Sequence, residues 1–266
     1  MVENNTLHDW NIERGDSPVL ATAIHNGHQV RTELQERMIL KEPDRLREED
    51  PYTGRWTTIS PNKIVLNTSR FEVDLNRPRE KAVYAKAEDA WGLNIWEENL
   101  SSDLVNRSLE KYDRFYAELK TILDELVTKY GAFVLYDIHS YNHRRNGAEA
   151  PPESIEQNPE VNLGTGTLNK DRWKGVAETF MSEIKSFDYD GRELDVRENI
   201  KFKGGNLSAW VHQNYPENGV CLAVEFKKFF MDEWTGQYFE KDMELVGEAL
   251  RKTVAPVIKT AKINLF

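Results

Sequence analysis

The chain's 266 residues carry 39% hydrophobic and 11% aromatic side chains along their whole length, enough for a substantial core and too many for a disordered tail. Its 35 Lys and Arg against 45 Asp and Glu leave a net charge of −10, which argues against non-specific attraction to nucleic acid or an anionic membrane. The single Cys221 excludes an intramolecular disulfide framework and a thiolate-rich zinc site, and no stretch reaches the roughly 18 apolar residues that span a bilayer.

Met1 to Gly15 is polar and mildly acidic, without the basic and apolar stretches of a secretory leader, so the expected compartment is the cytoplasm. Ser17 to Ile24 is a short apolar run that ends in the polar group His25-Asn26-Gly27-His28, the pattern of a buried strand delivering side chains at its end. Lys63 to Asn67 reads as a second strand. Asp103 to Tyr130 places Leu104, Tyr112, Phe115, Leu119, Ile122, Leu126 and Tyr130 on one helical face, and Gly131 stops that helix. Ala132 to Tyr136 is then a strand ending in Asp137-Ile138-His139-Ser140. Trp173 to Phe187 reads as a helix, and Gly219 to Phe230 contains the apolar run Val220 to Val224 followed by charged residues. A last helix is expected from Phe239 to about Lys259, bent or interrupted at Pro256.

No repeat, low-complexity run or Pro/Ser/Gly-rich linker divides the sequence, so one domain is expected over residues 1–266. Helix followed by strand is the rhythm of an α/β domain with a mostly parallel sheet, in which ligands bind beyond the strand ends.

His25 and His139 stand at the ends of two different predicted strands. If those strands are parallel neighbours, both imidazoles reach the same sheet edge, an arrangement that suits zinc, whose catalytic sites use three protein ligands and keep one position open. Asp137 lies on the same side of its strand as His139 and is a candidate hydrogen-bonding partner for it. Either His28 or the acidic run Glu48-Glu49-Asp50 can close the triad; the competing reading of that run is a solvated loop. Thr68 to Arg79 holds Arg70, Arg77 and Arg79 in an otherwise acidic chain. One arginine there can grip a substrate carboxylate and another an oxyanion, or Arg70 and Arg77 can pair with Asp74 to brace a loop. Glu225 should emerge at a strand end, placed as a general base, unless Glu225 and Lys227 alternate on a solvated edge strand. Lys203-Gly204-Gly205-Asn206 is a turn that can present backbone donors. The tryptophans, Trp91 among them, read as core or wall, and His8, His143 and His212 are not expected to be ligands. No Walker-type or dinucleotide-binding glycine pattern is present.

Ile24-His25-Asn26-Gly27, Ser69-Arg70 with Val73-Asp74-Leu75-Asn76-Arg77, Asp137-Ile138-His139-Ser140, Asn162-Leu163-Gly164, and Glu225 with Met231-Asp232-Glu233 resemble, in this order, the motifs of the N-formylglutamate amidohydrolase family. That family is similar in turn to the zinc carboxypeptidases and aspartoacylases. The resemblance implies a zinc-carboxypeptidase-like (phosphorylase/hydrolase-like) α/β fold. It also implies one zinc ion on His25 and His139, with Asp50 as third ligand because the family shows an acidic pair there. His28 is the alternative, at the position where zinc carboxypeptidases carry a glutamate. Arg70, Asn76 and Arg77 would handle the substrate carboxylate and oxyanion, with Glu225 as general base. The implied reaction is cleavage of the amide of an N-acyl amino acid, N-formyl-L-glutamate first. The alternatives are a carboxypeptidase-like peptidase, another N-acyl amino acid deacylase, or a non-catalytic module binding an acidic metabolite. The expected partner is a small carboxylate-bearing substrate, with neither nucleic acid nor membrane. The segment Glu88 to Glu98, rich in tryptophan and acids, has no counterpart among these motifs.

Overall fold

The computed structural model describes residues 8–263; the part of the leader reading that falls on residues 1–7, and the ends of the expected domain, lie outside the described residues. Seven strands, β1 (Trp10–Glu13), β2 (Val19–Ala23), β3 (Asn62–Leu66), β4 (Phe133–Tyr141), β5 (Val161–Gly164), β6 (Val196–Glu198) and β7 (Gly219–Lys227), form one sheet in the order β1-β3-β2-β4-β7-β5-β6. The central four, β3-β2-β4-β7, are mutually parallel. β1 pairs antiparallel with β3, β5 antiparallel with β7, and β6 parallel with β5, so the sheet is mixed at both flanks. Every residue of β2 and β4 is buried, which is why both read as continuous apolar runs rather than as alternations. β7 lies between β4 and β5, so Glu225 does not belong to a solvated edge strand.

Among the described residues seven α-helices accompany the sheet: α1 (Thr32–Gln35), α2 (Glu42–Glu48), α3 (Thr53–Trp56), α4 (Ser102–Tyr130), α5 (Lys170–Lys185), α6 (Asn206–Asn214) and α7 (Glu240–Thr260). The Ser101 hydroxyl accepts the Leu104 N–H at the start of α4, and Gly131, at φ 79°, ends it in the left-handed conformation that costs glycine least. α4 and α6 cover one face of the sheet: Phe115 packs on Trp10 with ring centroids 5.6 Å apart, and Tyr215 on Phe133 at 5.2 Å. α5 and α7 cover the other, where Tyr136 meets Phe180 at 5.9 Å and its hydroxyl lies 2.9 Å from that of Thr253. Phe133 and Tyr136 thus face opposite layers, as the period-two pleat requires.

α7 runs through Pro256 without interruption, so of the bend or break expected there the break does not occur. Proline removes the bond to the carbonyl of Lys252, an exposed residue where water can replace it, while the buried Val257 and Ile258 hold the last turn against the core. Among the described residues no helix is long and apolar enough to cross a membrane.

Candidate metal centre and substrate pocket

β2 and β4 are parallel neighbours, with Thr22 beside Asp137, so both deliver their following residues to the same sheet edge. His25 and His139 meet there, ring centroids 4.8 Å apart. Asp50 reaches the same point from the end of α2, as the chain crosses over the strand ends. Its N–H donates to the His25 carbonyl (2.9 Å) and its carbonyl accepts from the Thr53 hydroxyl (2.7 Å), so main-chain bonds fix where its carboxylate hangs. One oxygen, Asp50 Oδ2, lies 3.4 Å from His25 Nδ1 and 3.0 Å from His139 Nδ1. All three side chains are buried.

The far nitrogens explain the orientation. His25 Nε2 donates to Asp74 Oδ1 at 2.7 Å. His139 Nε2 lies 2.9 Å from Asp137 Oδ2, an ion-pair contact that is off the line of a good hydrogen bond and leaves both atoms without an aligned partner. In the tautomer with the Nε2 protons turned toward Asp74 and Asp137, both Nδ1 lone pairs face the Asp50 oxygen, and the three electron-rich atoms then need a positive charge among them, either a metal ion or a proton on Nδ1 shared with Asp50. Ligands about 2.0–2.1 Å from a tetrahedral metal ion are roughly 3.3 Å from one another, close to the two separations from Asp50 Oδ2. The His25, Asp50 and His139 set, its ligand atoms all within 4.8 Å of one another, can therefore hold a divalent metal ion.

Charge sets the protonation. Burial favours the neutral form of Asp50, but hydrogen bonds from His139 and His25 outweigh it and hold the carboxyl well below the usual range. Burial likewise opposes ionisation of Asp74, and Arg70 with His25 holds it well below that range. For His139, burial works against the proton while Asp137 and Asp50 raise its pKa well above the ordinary value. Glu225 stands beside His139 in the β4–β7 register. Burial is the largest influence on it; His139 pulls the other way, Asp50 and Asp137 add to it, and the carboxyl is pushed up to about 8. Partly accessible through the pocket, it can take a proton and give it back.

Asp74 ties this centre to the arginine segment. It accepts from His25 and from the Asn76 N–H (2.8 Å) on one oxygen, and from Arg70 Nη2 (2.8 Å) and the Tyr84 hydroxyl on the other. Arg70 also stacks on Trp91, 4.8 Å from the ring centre. Arg77 is less committed: its Nε is 3.8 Å from Asp74 and its side chain is 38% exposed. Arg79 points elsewhere, onto Asp113. The Asn76 amide accepts the Leu207 N–H at the start of α6 (3.1 Å), and Gly205 makes room for it, since a Cβ there would lie 2.2 Å from Asn76 Oδ1.

One pocket joins His25, Asp50, Arg70, Asn76, Arg77, His139 and Glu225. His28 is not drawn to the two imidazoles: its Nδ1 is 2.5 Å from Glu49 Oε2 and its Nε2 accepts from Arg45 (2.8 Å). The acidic run is not a solvated loop. Glu48, Glu49 and Asp50 are all buried because each has cationic or hydrogen-bonding partners: Arg145 and Arg47 for Glu48, His28 and Ser69 for Glu49, and the imidazoles for Asp50. The pocket also takes in Trp91, Arg145, Phe202 and Lys228, which sequence reasoning missed as site residues. The one available signal was the tryptophan-rich segment Glu88 to Glu98 without a counterpart.

The sequence profile of N-formylglutamate amidohydrolase (FGase) matches residues 17–230. The crystal structure of N-formylglutamate amidohydrolase from Ralstonia eutropha superposes with a TM-score of 0.75 at 16% identity, covering 96% of this chain and 98% of that one. The crystal structure of a gene product from Agrobacterium tumefaciens gives a TM-score of 0.61 at 18% identity, covering 91% and 94%. No curated protein sequence matches. At such identities the structural likeness establishes the shared α/β fold, and the profile, spanning most of the chain and every residue that lines the pocket, establishes the descent. The chain belongs to the N-formylglutamate amidohydrolase family.

Proposed function

We propose that this chain is a zinc-dependent amidohydrolase that removes the acyl group of an N-acyl amino acid, with N-formyl-L-glutamate as first candidate. The observation that carries the reading is the single Asp50 oxygen facing both Nδ1 atoms, with Glu225 beside His139 in the same pocket.

Zinc, when bound, supplies Lewis acidity that polarises an acyl carbonyl and makes water a better nucleophile. His25, Asp50 and His139 would hold it, oriented by Asp74 and Asp137 behind the imidazoles. Glu225 takes a proton from the water that adds to the acyl carbon, and returns it to the nitrogen as the C–N bond breaks, releasing a carboxylic acid and an amine. Arg70, braced by Asp74, stabilises the negative charge that develops on the carbonyl oxygen. Arg77 and Asn76 hold the substrate's α-carboxylate, and Arg145, 34% exposed in its side chain, offers a second cation for a side-chain carboxylate such as that of glutamate.

The exposed Trp91 and Phe202 in the same pocket favour a second reading, a deacylase for N-acyl amino acids with larger apolar side chains. The two are separated by assaying metal-stripped protein, with and without added zinc, on N-formyl-L-glutamate, N-acetyl-L-glutamate and N-formyl-L-phenylalanine. Zinc-dependent formate release fastest from N-formyl-L-glutamate supports the first; preference for the phenylalanine substrate supports the second. No zinc-dependent turnover on any of them contradicts both.

A further inference from the structure

Lys228 is 1% exposed, lies just past the end of β7, and reaches the wall of the metal pocket. Burying an ammonium group is costly, and such a group is retained where its hydrogen bonds are needed. Its Nζ donates to the main-chain carbonyls of Arg47 (2.6 Å) and Glu49 (2.8 Å), at the end of α2, where helix geometry leaves carbonyls without partners and concentrates negative charge. Its own N–H donates to the Tyr141 carbonyl (3.0 Å), carrying the β4–β7 pairing one step beyond the strands. The side chain is thus a strut between the sheet edge that bears His139 and Glu225 and the turn that bears Asp50. Asp50 is the only member of the His25, Asp50 and His139 set that does not come from the end of a central strand, so its position depends on whatever fixes that turn.

We propose that Lys228 is a positioning residue for the metal centre: by clamping the carbonyls on both sides of Glu48, it holds Asp50 at the distance from the two imidazoles at which the three can share one ion. This rests on the metal-dependent reading above. Of the Lys228 ammonium's three N–H groups, two bind carbonyls rather than carboxylates, which is the work of a brace; burial draws its pKa below the ordinary lysine value, and the neighbouring charges of Asp50, Glu48 and Glu233 oppose that shift.

The test is a double-mutant cycle read by zinc affinity rather than by turnover. Metal-stripped wild type, Lys228→Met, Asp50→Ala and the double variant are titrated with zinc against a chromophoric chelator, with circular dichroism recording the fold. Lys228→Met is expected to bind zinc at least tenfold more weakly than wild type, the usual loss when a ligand's support is removed. In the Asp50→Ala background the same substitution should change affinity by less than twofold, because a brace has no effect once the group it positions is gone. Equal affinity of wild type and Lys228→Met overturns the proposal, as does a loss that persists undiminished without Asp50. If Lys228→Met does not fold, Lys228→Gln, which keeps one donor for one carbonyl, replaces it in the cycle. Failure of both to fold assigns Lys228 to overall stability and overturns the proposal as well. Absence of zinc binding by wild type removes the functional reading itself; the other outcomes leave that reading intact.

Discussion

Asp74→Asn tests the link between the metal centre and the arginine segment. The wild-type carboxylate receives donors on both oxygens: His25 Nε2 and the Asn76 N–H on one, Arg70 and the Tyr84 hydroxyl on the other. An amide has one acceptor oxygen and one NH2 group, so either rotamer turns two N–H donors against existing donors. If the NH2 group faces His25, the imidazole can accept only by moving its proton to Nδ1, the atom that faces Asp50, and the ligand lone pair is lost. If it faces Arg70, a buried guanidinium loses its carboxylate. Breaking a buried ion pair from one side costs about 3–5 kcal/mol. At roughly 2 °C per kcal/mol for a chain of this length, Tm should fall by about 6–10 °C. Zinc affinity should drop about 10–100-fold. Thermal unfolding of the metal-stripped protein and a chelator-competition titration read the two effects. A Tm within 2 °C of wild type together with unchanged zinc affinity would refute the reasoning.

The pH dependence of the same pair has a definite sign. The native state holds the Asp74 and Asp50 carboxyls below their ordinary values, so their contribution is fully present above the unfolded value near 4 and is lost as pH falls below it toward the folded values; Asp74→Asn should therefore narrow its gap to wild type as metal-stripped samples are taken from pH 6 to pH 3. Glu225 behaves oppositely: its carboxyl is pushed up to about 8, so the native state binds the extra proton between about 4 and 8 and loses stability as pH rises through that window. Glu225→Gln should raise the Tm of the metal-stripped protein at pH 8.5 and do so progressively less toward pH 5, while lowering kcat by about 10²–10⁴ in the zinc-loaded protein; unchanged kcat removes Glu225 from proton transfer. Arg77→Ala should raise KM for an N-acyl amino acid more than it lowers kcat, with Tm nearly unchanged because the side chain is 38% exposed; an equal fall in kcat would place it at the reacting carbonyl instead. Gly205→Ala puts a methyl group 2.2 Å from Asn76 Oδ1, which should cost about 1–3 kcal/mol in unfolding experiments and raise KM by displacing the Asn76 amide.

The strands that carry the site were legible because their chemistry is one-dimensional. A fully buried parallel strand is mostly apolar, so Val19 to Ala23 and Phe133 to Tyr136 stand out, and the polar groups that follow, with His25 two residues after the first and His139 three residues after the second, lie toward the strand ends. His25 and His139 share one edge on the condition that the two strands are parallel neighbours, and β2 and β4 meet that condition. Asp50 was harder: nothing in Glu48-Glu49-Asp50 distinguishes the acid that faces the imidazoles from the two that pair with Arg145 and His28, since the choice is made by the turn after α2 and by bonds from Thr53 and Lys228. His28 has plausible ligand spacing and is drawn away by Glu49 and Arg45, partners 21 and 17 residues distant in the chain. Lys228 was invisible because a lysine after a strand reads as solvated; only packing shows that α2 covers it. Trp91 and Arg145 belong to loops, whose course depends on what they rest against rather than on any periodicity.

The most direct measurement is an anomalous-difference map at the zinc edge from crystals grown with zinc. One peak within bonding distance of His25 Nδ1, Asp50 Oδ2 and His139 Nδ1, with Glu225 close by and His28 remote, is the expected result. Zinc found only at other positions, or no peak between the two imidazoles at saturating zinc, would contradict the assignment of this cluster as the metal centre.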